Sequence, residues 1–177
     1  AIDIPIGLPA TGRRRADVAV RELLGPRRST VFHAPPRDVM ETATYEAANA
    51  LAKQRHGFGI SKQSYMLRPK VLEVDTIARE DDRLFEVHPE LAFRSMKAGD
   101  LPSKRTYRGL MERRRLLSEV GIELPDDIGE AGRVPLDDVL DAAAAAWVAG
   151  RIAAGAAAPL PDPPDHDDTG LPMAMWL

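Results

Sequence analysis

Three aspartates, Asp137, Asp138 and Asp141, stand at the opening of PLDDVLDAAAAA, a run that otherwise reads as a helix of alanines. Acids in a first turn cap free N–H groups and complement the helix dipole, which accounts for Asp137 and Asp138. Asp141 lies a turn further in, where aspartate is a weak helix former. It falls at i+3 from Asp138 and i+4 from Asp137, hence on the same face. The alanines that follow, with Trp147 and Val148, predict a helix apolar all round and therefore buried. A carboxylate at the edge of buried surface is protonated, paired or bound to a metal. The Asp138/Asp141 pair is thus a candidate metal or partner site.

Two further carboxylate positions stand out. Asp3 interrupts the apolar run IDIPI just before a turn. It reads either as an Asx-turn residue or as a carboxylate at the end of a strand, where α/β sites form. In EVHPE, two-residue alternation puts Glu86 and His88 on one strand face, and Glu90 falls in the first turn of the next helix. Glu90 has a ready role as a dipole partner and His88 as a cap. Glutamate is depleted in strands, so Glu86 is the favoured ligand and Glu90 the reserve.

Positive charge gathers in SKRTYRGLMERRRLL, where Lys104, Arg105, Arg108 and Arg113 to Arg115 meet one acid, Glu112. This is a solvated helix face or a stripe able to hold phosphates. Arg13, Arg14 and Arg15 can extend it, and Arg37, Lys104, Arg108 and Arg113 are the candidate substrate contacts. No phosphate-binding glycine loop, dinucleotide fingerprint or HExxH occurs, and four histidines without cysteine do not make a zinc pattern.

The elements that must position these groups follow from breakers and periodicity. Residues 2–6 read as a short strand closed by Gly7-Leu8-Pro9, and 14–24 as a helix stopped by Gly25-Pro26. Residues 29–34 are read as extended. Helical spacing runs over 36–55, and Ser61 opens a helix to about Arg79 with Pro69 as a kink. LFEVH at 84–88 is the second strand, Pro89 starts a helix, 103–120 is a long basic helix, 124–134 a loop, and 136–154 the alanine helix. PDPPDHDD is an acidic, proline-rich tail at 161–168. GLPMAMWL is apolar again and expected to dock as a strand or hook. Two regions result, a domain over 1–160 and a docking tail over 161–177.

The whole chain has 177 residues, enough for one core, and a net charge of −3, so any polyanion site must be a local patch. Without cysteine there is no thiolate chemistry. No apolar run approaches the roughly 20 residues of a bilayer span, and no secretory signal appears. The expectation is a cytoplasmic protein without a membrane partner. The opening AIDIPIGLP lacks an initiator methionine and starts in a strand, which suggests a fragment.

IDIPIGLP, EVHPELAF, DDVLDAAAAAWVA and GLPMAMW, with APPR at 34–37, GISKQ at 59–63 and KVLEVD at 70–75, together resemble the family called domain of unknown function 429, predicted RNase H-like nucleases. The resemblance spans nearly the whole chain. It implies an α/β, RNase H-like fold: a mixed five-stranded sheet with helices on both faces. In the wider superfamily, carboxylates from the first strand, the fourth strand and the last helix hold two divalent metals. By that analogy Asp3 ends the fourth strand, Asp138 and Asp141 are the last-helix pair, and Glu86 lies on the fifth strand. The first three strands, including the one with a central Asp ligand, have no counterpart here. The expected fold is therefore truncated and helix-rich, with a short parallel strand pair and an exposed strand edge through which it can oligomerise.

The leading functional expectation is a metal-dependent nuclease or phosphodiesterase, with Mg²⁺ or Mn²⁺ in a two-metal site left incomplete here. Asp3, Asp138 and Asp141 would be ligands, Glu86 a ligand or general base, and basic side chains would hold a nucleic-acid backbone. The rivals are a non-catalytic nucleic-acid or nucleotide-binding module, and a distant relative of sugar kinases. The missing glycine-rich phosphate loop weakens the second rival.

Overall fold

Breaker residues divide the chain into helices much as the sequence suggests. The computed structural model describes all of residues 1–177. The helices are α1 (Arg15–Leu24), α2 (Arg37–Met40), α3 (Tyr45–Leu51), α4 (Lys62–Met66), α5 (Arg68–Glu80), α6 (Pro89–Lys97), α7 (Tyr107–Glu119) and α8 (Leu136–Ala153). The strands are β1 (Pro159–His166) and β2 (Pro172–Trp176).

Local chemistry sets the boundaries. The Ser61 hydroxyl caps α4 by accepting from Ser64 N–H, and Pro69 in the first turn starts α5 afresh. The helical spacing over 36–55 is broken because Thr44 caps a new helix, its hydroxyl accepting from Ala47 N–H. The basic helix starts at Tyr107 rather than at residue 103, because Thr106 caps it.

The expected parallel strand pair is corrected. The two-stranded sheet is antiparallel and formed by β1 and β2, with Pro159 opposite Trp176 and His166 opposite Pro172. Five residues join the strands, and so short a link returns the chain antiparallel. Asp167 holds that link: one carboxylate oxygen accepts from the N–H groups of Thr169 and Leu171 and from the Thr169 hydroxyl. The four prolines of β1 have no N–H to donate, so it can only be an edge strand. A boundary at residue 160 falls inside β1. The segment 161–177 carries most of the hairpin, lacking only the first two residues of β1, and its Met173, Ala174 and Met175 are buried.

Of the expected parallel pairing, a single bridge exists, between Ile2 and Glu86. The Ile2 N–H donates to Phe85 O and the Ile2 carbonyl accepts from Val87 N–H, both at 2.9 Å. Pro5 lacks a donor and Pro89 begins a helix, so pairing stops there. On its other side the 85–87 segment is met by β2, where Trp176 N–H donates to Glu86 O at 2.8 Å. The remaining strands of an RNase H-like sheet are not seen.

The helix α8 buries one stripe, Leu140, Ala143, Ala144 and Val148, at the i, i+3, i+4, i+8 spacing of a helix face. Ala142 and Ala146 are exposed, so the helix is not buried all round as expected. Its stripe packs on α6 and α7 in the main core, with Val87, Phe93, Leu116 and Leu117. Two glycines are fixed by close approach. Gly7 has φ +73°, and a Cβ there would lie 2.7 Å from Met173 Cγ. A Cβ on Gly109 would lie 1.9 Å from the Ser103 carbonyl oxygen, so only glycine lets the 103–106 loop pack on α7.

Candidate functional site

The chain's charged groups separate into buried structural networks and a half-open acidic centre. The first network begins at Arg14, which is buried. Its guanidinium donates to both Glu86 carboxylate oxygens at 2.7 and 2.8 Å, to Asp17, and to the Ile6 carbonyl at 3.0 Å. Glu86 also accepts from Ile6 N–H, and Asp17 from Ala34 N–H, both at 2.8 Å. The network ties residues 2–6, α1, the 31–34 loop and the 85–87 segment into one body. Glu86 therefore stands in an ion pair with Arg14, in the lining of the same cleft as Asp3. Burial raises its pKa, and Arg14 opposes that shift.

The second network explains Glu90 and Arg113. The Arg113 guanidinium donates to both Glu90 oxygens at 2.7 and 2.8 Å, and to the carbonyls of Pro102 and Gly109. Arg113 is fully buried, so it cannot contact a substrate as the sequence suggested. Its bond to Pro102 O anchors the loop that carries Lys104. Arg37 is likewise engaged, bridging Asp75 and Asp167 at 2.6–2.8 Å. Arg114 and Arg115 pair with Asp126 and Glu119. The basic stripe is thus largely neutralised. Arg108 is exposed and makes no ion pair.

The acidic centre lies where residue 3, the 101–106 loop and the first turns of α8 meet. Lys104 Nζ donates to Asp141 Oδ2 at 2.6 Å and lies 3.6 Å from Asp137. The acid that shares Lys104 with Asp141 is therefore Asp137, at i+4; Asp138 is exposed and makes no ion pair with Lys104. Burial raises the Asp141 pKa against the pull of Lys104, with Glu90 and Asp137 adding to the rise. Burial also disfavours charge on Lys104, but its bond to Asp141 and the neighbouring acids outweigh this and raise its pKa. The second oxygen of Asp141, Oδ1, is buried and has no partner. Asp3 feels the same charge: the residue as a whole is exposed, yet local desolvation of its carboxyl and then Asp141 push it up to about 6, with Lys104 pulling the other way. No protein donor is among the causes acting on Asp3.

Asp3 and His88 share the lining of a cleft of about 240 Å³ with Val31, Phe32 and Gln63. His88 occupies the N-cap position of α6 without capping it. Its Nε2 faces the Thr30 carbonyl at 3.4 Å and its Nδ1 is buried without a partner. Burial lowers its pKa, so the ring is neutral near pH 7; with Nε2 donating, Nδ1 is the free acceptor.

No group of three His, Asp or Glu side chains converges as a ready-made metal cage. What does converge suits one hard cation: two carboxylates, one with an orphaned buried oxygen. Mg²⁺ commonly takes one or two protein carboxylates and completes its shell with water and phosphate. Sequence reasoning missed Asp137, whose capping role hid it, and His88, whose place before a proline-led helix reads as a cap.

A family model described as "Protein of unknown function (DUF429)" matches residues 1–166. The chain belongs to this family. The DUF429 match contains every carboxylate of the acidic centre and all of α8. No curated protein and no solved structure matches the chain. No helix is long and apolar enough to cross a membrane.

Proposed function

We propose that this DUF429 chain is a metal-dependent phosphodiesterase that acts on nucleic acid. The observation that carries the reading is the buried, unpartnered Oδ1 of Asp141 beside an Asp3 carboxyl raised to about 6. Asp141 raises the pKa of Asp3, while Glu90 and Asp137 raise that of Asp141, and a cation beside such acids relieves the penalty. A bound Mg²⁺ or Mn²⁺ would supply Lewis-acid stabilisation of a phosphoryl oxygen. Asp3 and Asp141 hold the ion. Lys104 fixes the Asp141 rotamer through Oδ2 and leaves Oδ1 free. The neutral His88 accepts a proton at Nδ1 in the cleft that Asp3 lines. Arg113 and Glu90 act at a distance, by anchoring the Lys104 loop.

One observation favours a second reading. The Lys104 ammonium already neutralises Asp141, as it would in a non-catalytic nucleic-acid-binding module. A Mn²⁺ titration followed by thermal shift separates the two. The phosphodiesterase reading expects Mn²⁺ to raise the melting temperature of the parent and of Asp138→Asn, but not of Asp3→Asn or Asp141→Asn. At a hundredfold excess over Kd the stabilisation is about 2.7 kcal/mol. Mn²⁺-dependent cleavage of a labelled single strand by the parent, absent in Asp141→Asn, completes the test. If Mn²⁺ leaves the parent unmoved and no cleavage follows, the binding-module reading replaces the enzyme.

A further inference from the structure

Of the seven arginines in the first forty residues, Arg27 donates to the Leu101 carbonyl and the other six divide into two sets. Arg14, Arg15 and Arg37 each pair with a carboxylate. Arg13, Arg21 and Arg28 do not; instead they line a cleft of about 440 Å³ together with His33. Glu22 is the one acid on its wall. Arg13 Nη1 lies 3.2 Å from His33 Nε2, and Arg21 donates to the Val31 carbonyl. The His33 Nδ1 is buried and has no partner. Burial, then the charge of Arg13, lowers the His33 pKa, so the imidazole adds a neutral hydrogen-bonding group beside three guanidinium charges.

This basic cleft is not isolated. A second cleft of about 370 Å³ shares Arg13, Arg21 and His33 with it and adds Phe32, Phe58 and Gln63. That second cleft in turn shares Val31, Phe32 and Gln63 with the cleft of Asp3 and His88. The three neighbouring clefts therefore line up along shared walls from Arg28 past Arg13 and Phe32 to Asp3. Its two rings lie on the stretch between the positive charges and Asp3, and the Arg13 guanidinium sits 5.5 Å from the centroid of Phe58. Uncompensated arginines interleaved with aromatic rings are the chemistry that tracks a single strand: cations hold the phosphates and rings accept bases of any sequence.

We infer that the groove of Arg13, Arg21, Arg28 and His33 binds the backbone phosphates of a single-stranded nucleic acid and leads that strand to Asp3 and Asp141. The inference deepens the phosphodiesterase reading by naming its substrate class, and rests on that reading for the destination of the strand. It also moves substrate recognition from the basic helix α7 to the loop and helix that follow Gly12.

The test is fluorescence anisotropy of a short labelled oligouridylate with the whole chain in EDTA, over a series of salt concentrations. Without metal, binding is read apart from catalysis. The charge reversals Arg13→Glu and Arg28→Glu change exposed side chains, and circular dichroism checks their folding. The parent is expected to bind with a steep salt dependence. Each reversal is expected to weaken binding at least about tenfold at low salt. It is also expected to flatten the log–log salt slope by about 0.7 for each phosphate that is no longer neutralised. Arg13→Lys is expected to retain most of the binding. The inference is overturned if the parent fails to bind at low salt. It is also overturned if the folded reversals bind with unchanged affinity and slope, or if an equal concentration of inorganic phosphate displaces the strand. Should Mn²⁺ binding and cleavage fail while the arginine-dependent binding persists, the phosphodiesterase reading falls and the groove stands as a single-strand site.

Discussion

Replacing Arg14 by methionine tests the division between structural and functional carboxylates most directly. Arg14 is 1 % exposed, Asp17 0 % and Glu86 3 %. The substitution keeps most of the volume but removes every hydrogen bond of the guanidinium. Two buried carboxylates then face each other without a cation, and the Ile6 carbonyl loses a donor. Removing one partner of a buried ion pair costs about 3–5 kcal/mol, and here two anions are stranded, so the upper part of that range applies. For a chain of 177 residues, each kcal/mol moves the melting temperature by about 2–4 °C, so a fall of about 8–20 °C is expected. Glu86→Gln should cost less, because a glutamine oxygen can still accept from Ile6 N–H. The double variant should be more stable than the sum of the two single changes implies, since it removes a stranded charge. Urea and thermal unfolding, each with and without Mn²⁺, provide the measurements. The Mn²⁺ stabilisation should survive in Glu86→Gln, since Arg14 occupies both Glu86 oxygens although Glu86 lines the cleft of Asp3. A melting temperature for Arg14→Met within about 2 °C of the parent would refute the buried-network argument, as that is less than about 1 kcal/mol. A Glu86→Gln variant of parental stability that has lost its Mn²⁺ response would return Glu86 to the metal ligands.

Other expectations concern pH and packing. Asp3 has a folded-state pKa near 6 against an ordinary 3.8. The folded chain thus holds a proton the unfolded chain has released, so metal-free stability should fall as pH rises from about 4 through 6. Asp3→Asn should flatten that part of the profile, and Mn²⁺ affinity of the parent should rise over the same interval as the ion displaces the proton. Asp167 behaves oppositely: burial works against its charge, yet donors from Thr169, Leu8 and Leu171 bring its pKa down to about 2. Its contribution is present above about pH 4 and lost as pH falls through about 2, so an acid titration of Asp167→Asn followed by circular dichroism should show a shallower loss in that window. Gly109→Ala should destabilise by about 1–3 kcal/mol in urea unfolding, because its methyl group meets the Ser103 carbonyl. It should also weaken the Mn²⁺ response by displacing the Lys104 loop.

Local signals made the helices legible and left the pairing of charges hidden. Gly25 after α1, Pro89 before α6 and Pro135 before α8 are punctuation that depends only on neighbouring residues. The strands were harder. IDIPI and LFEVH carry strand composition, but prolines at both places leave them a single bridge. The proline-rich run at 159–166 looks like a tail, yet becomes an edge strand because β2 needs only its carbonyls and a few N–H groups. The centre was legible in part: Asp3 and Asp141 do converge, and their anomalous placement in apolar segments was the signal. Lys104 was visible as a cation but not as the partner of Asp141. Arg14 and Glu86 are 72 positions apart, and no periodicity links them. A glutamate in a strand is unusual because it needs a buried cation or a ligand; sequence spacing cannot say which, and the structure supplies Arg14.

The distribution of paired and unpaired charge gives the molecule its direction. A chain of net charge −3 does not attract a polyanion as a whole, so attraction must come from cations that the fold leaves uncompensated. On α7 only Arg108 meets that condition, because Arg113, Arg114 and Arg115 are matched by Glu90, Asp126 and Glu119. At the start of α1 it holds, because Arg14 and Arg15 draw the nearby acids to themselves and leave Arg13, Arg21 and Arg28 facing open groove. The clefts end at Asp3, which with Asp141 is among the acids whose charge the protein itself disfavours. A polyanion held by the arginines would raise those pKa values further, because like charges repel. A cation at the acidic end cancels that penalty, so strand binding and cation binding should be positively coupled. Measured by anisotropy, Mn²⁺ should tighten oligouridylate binding to the parent and should leave Asp141→Asn unaffected. Equal tightening in both proteins would mean that the ion acts on the nucleic acid alone and that the groove and the acidic centre are independent.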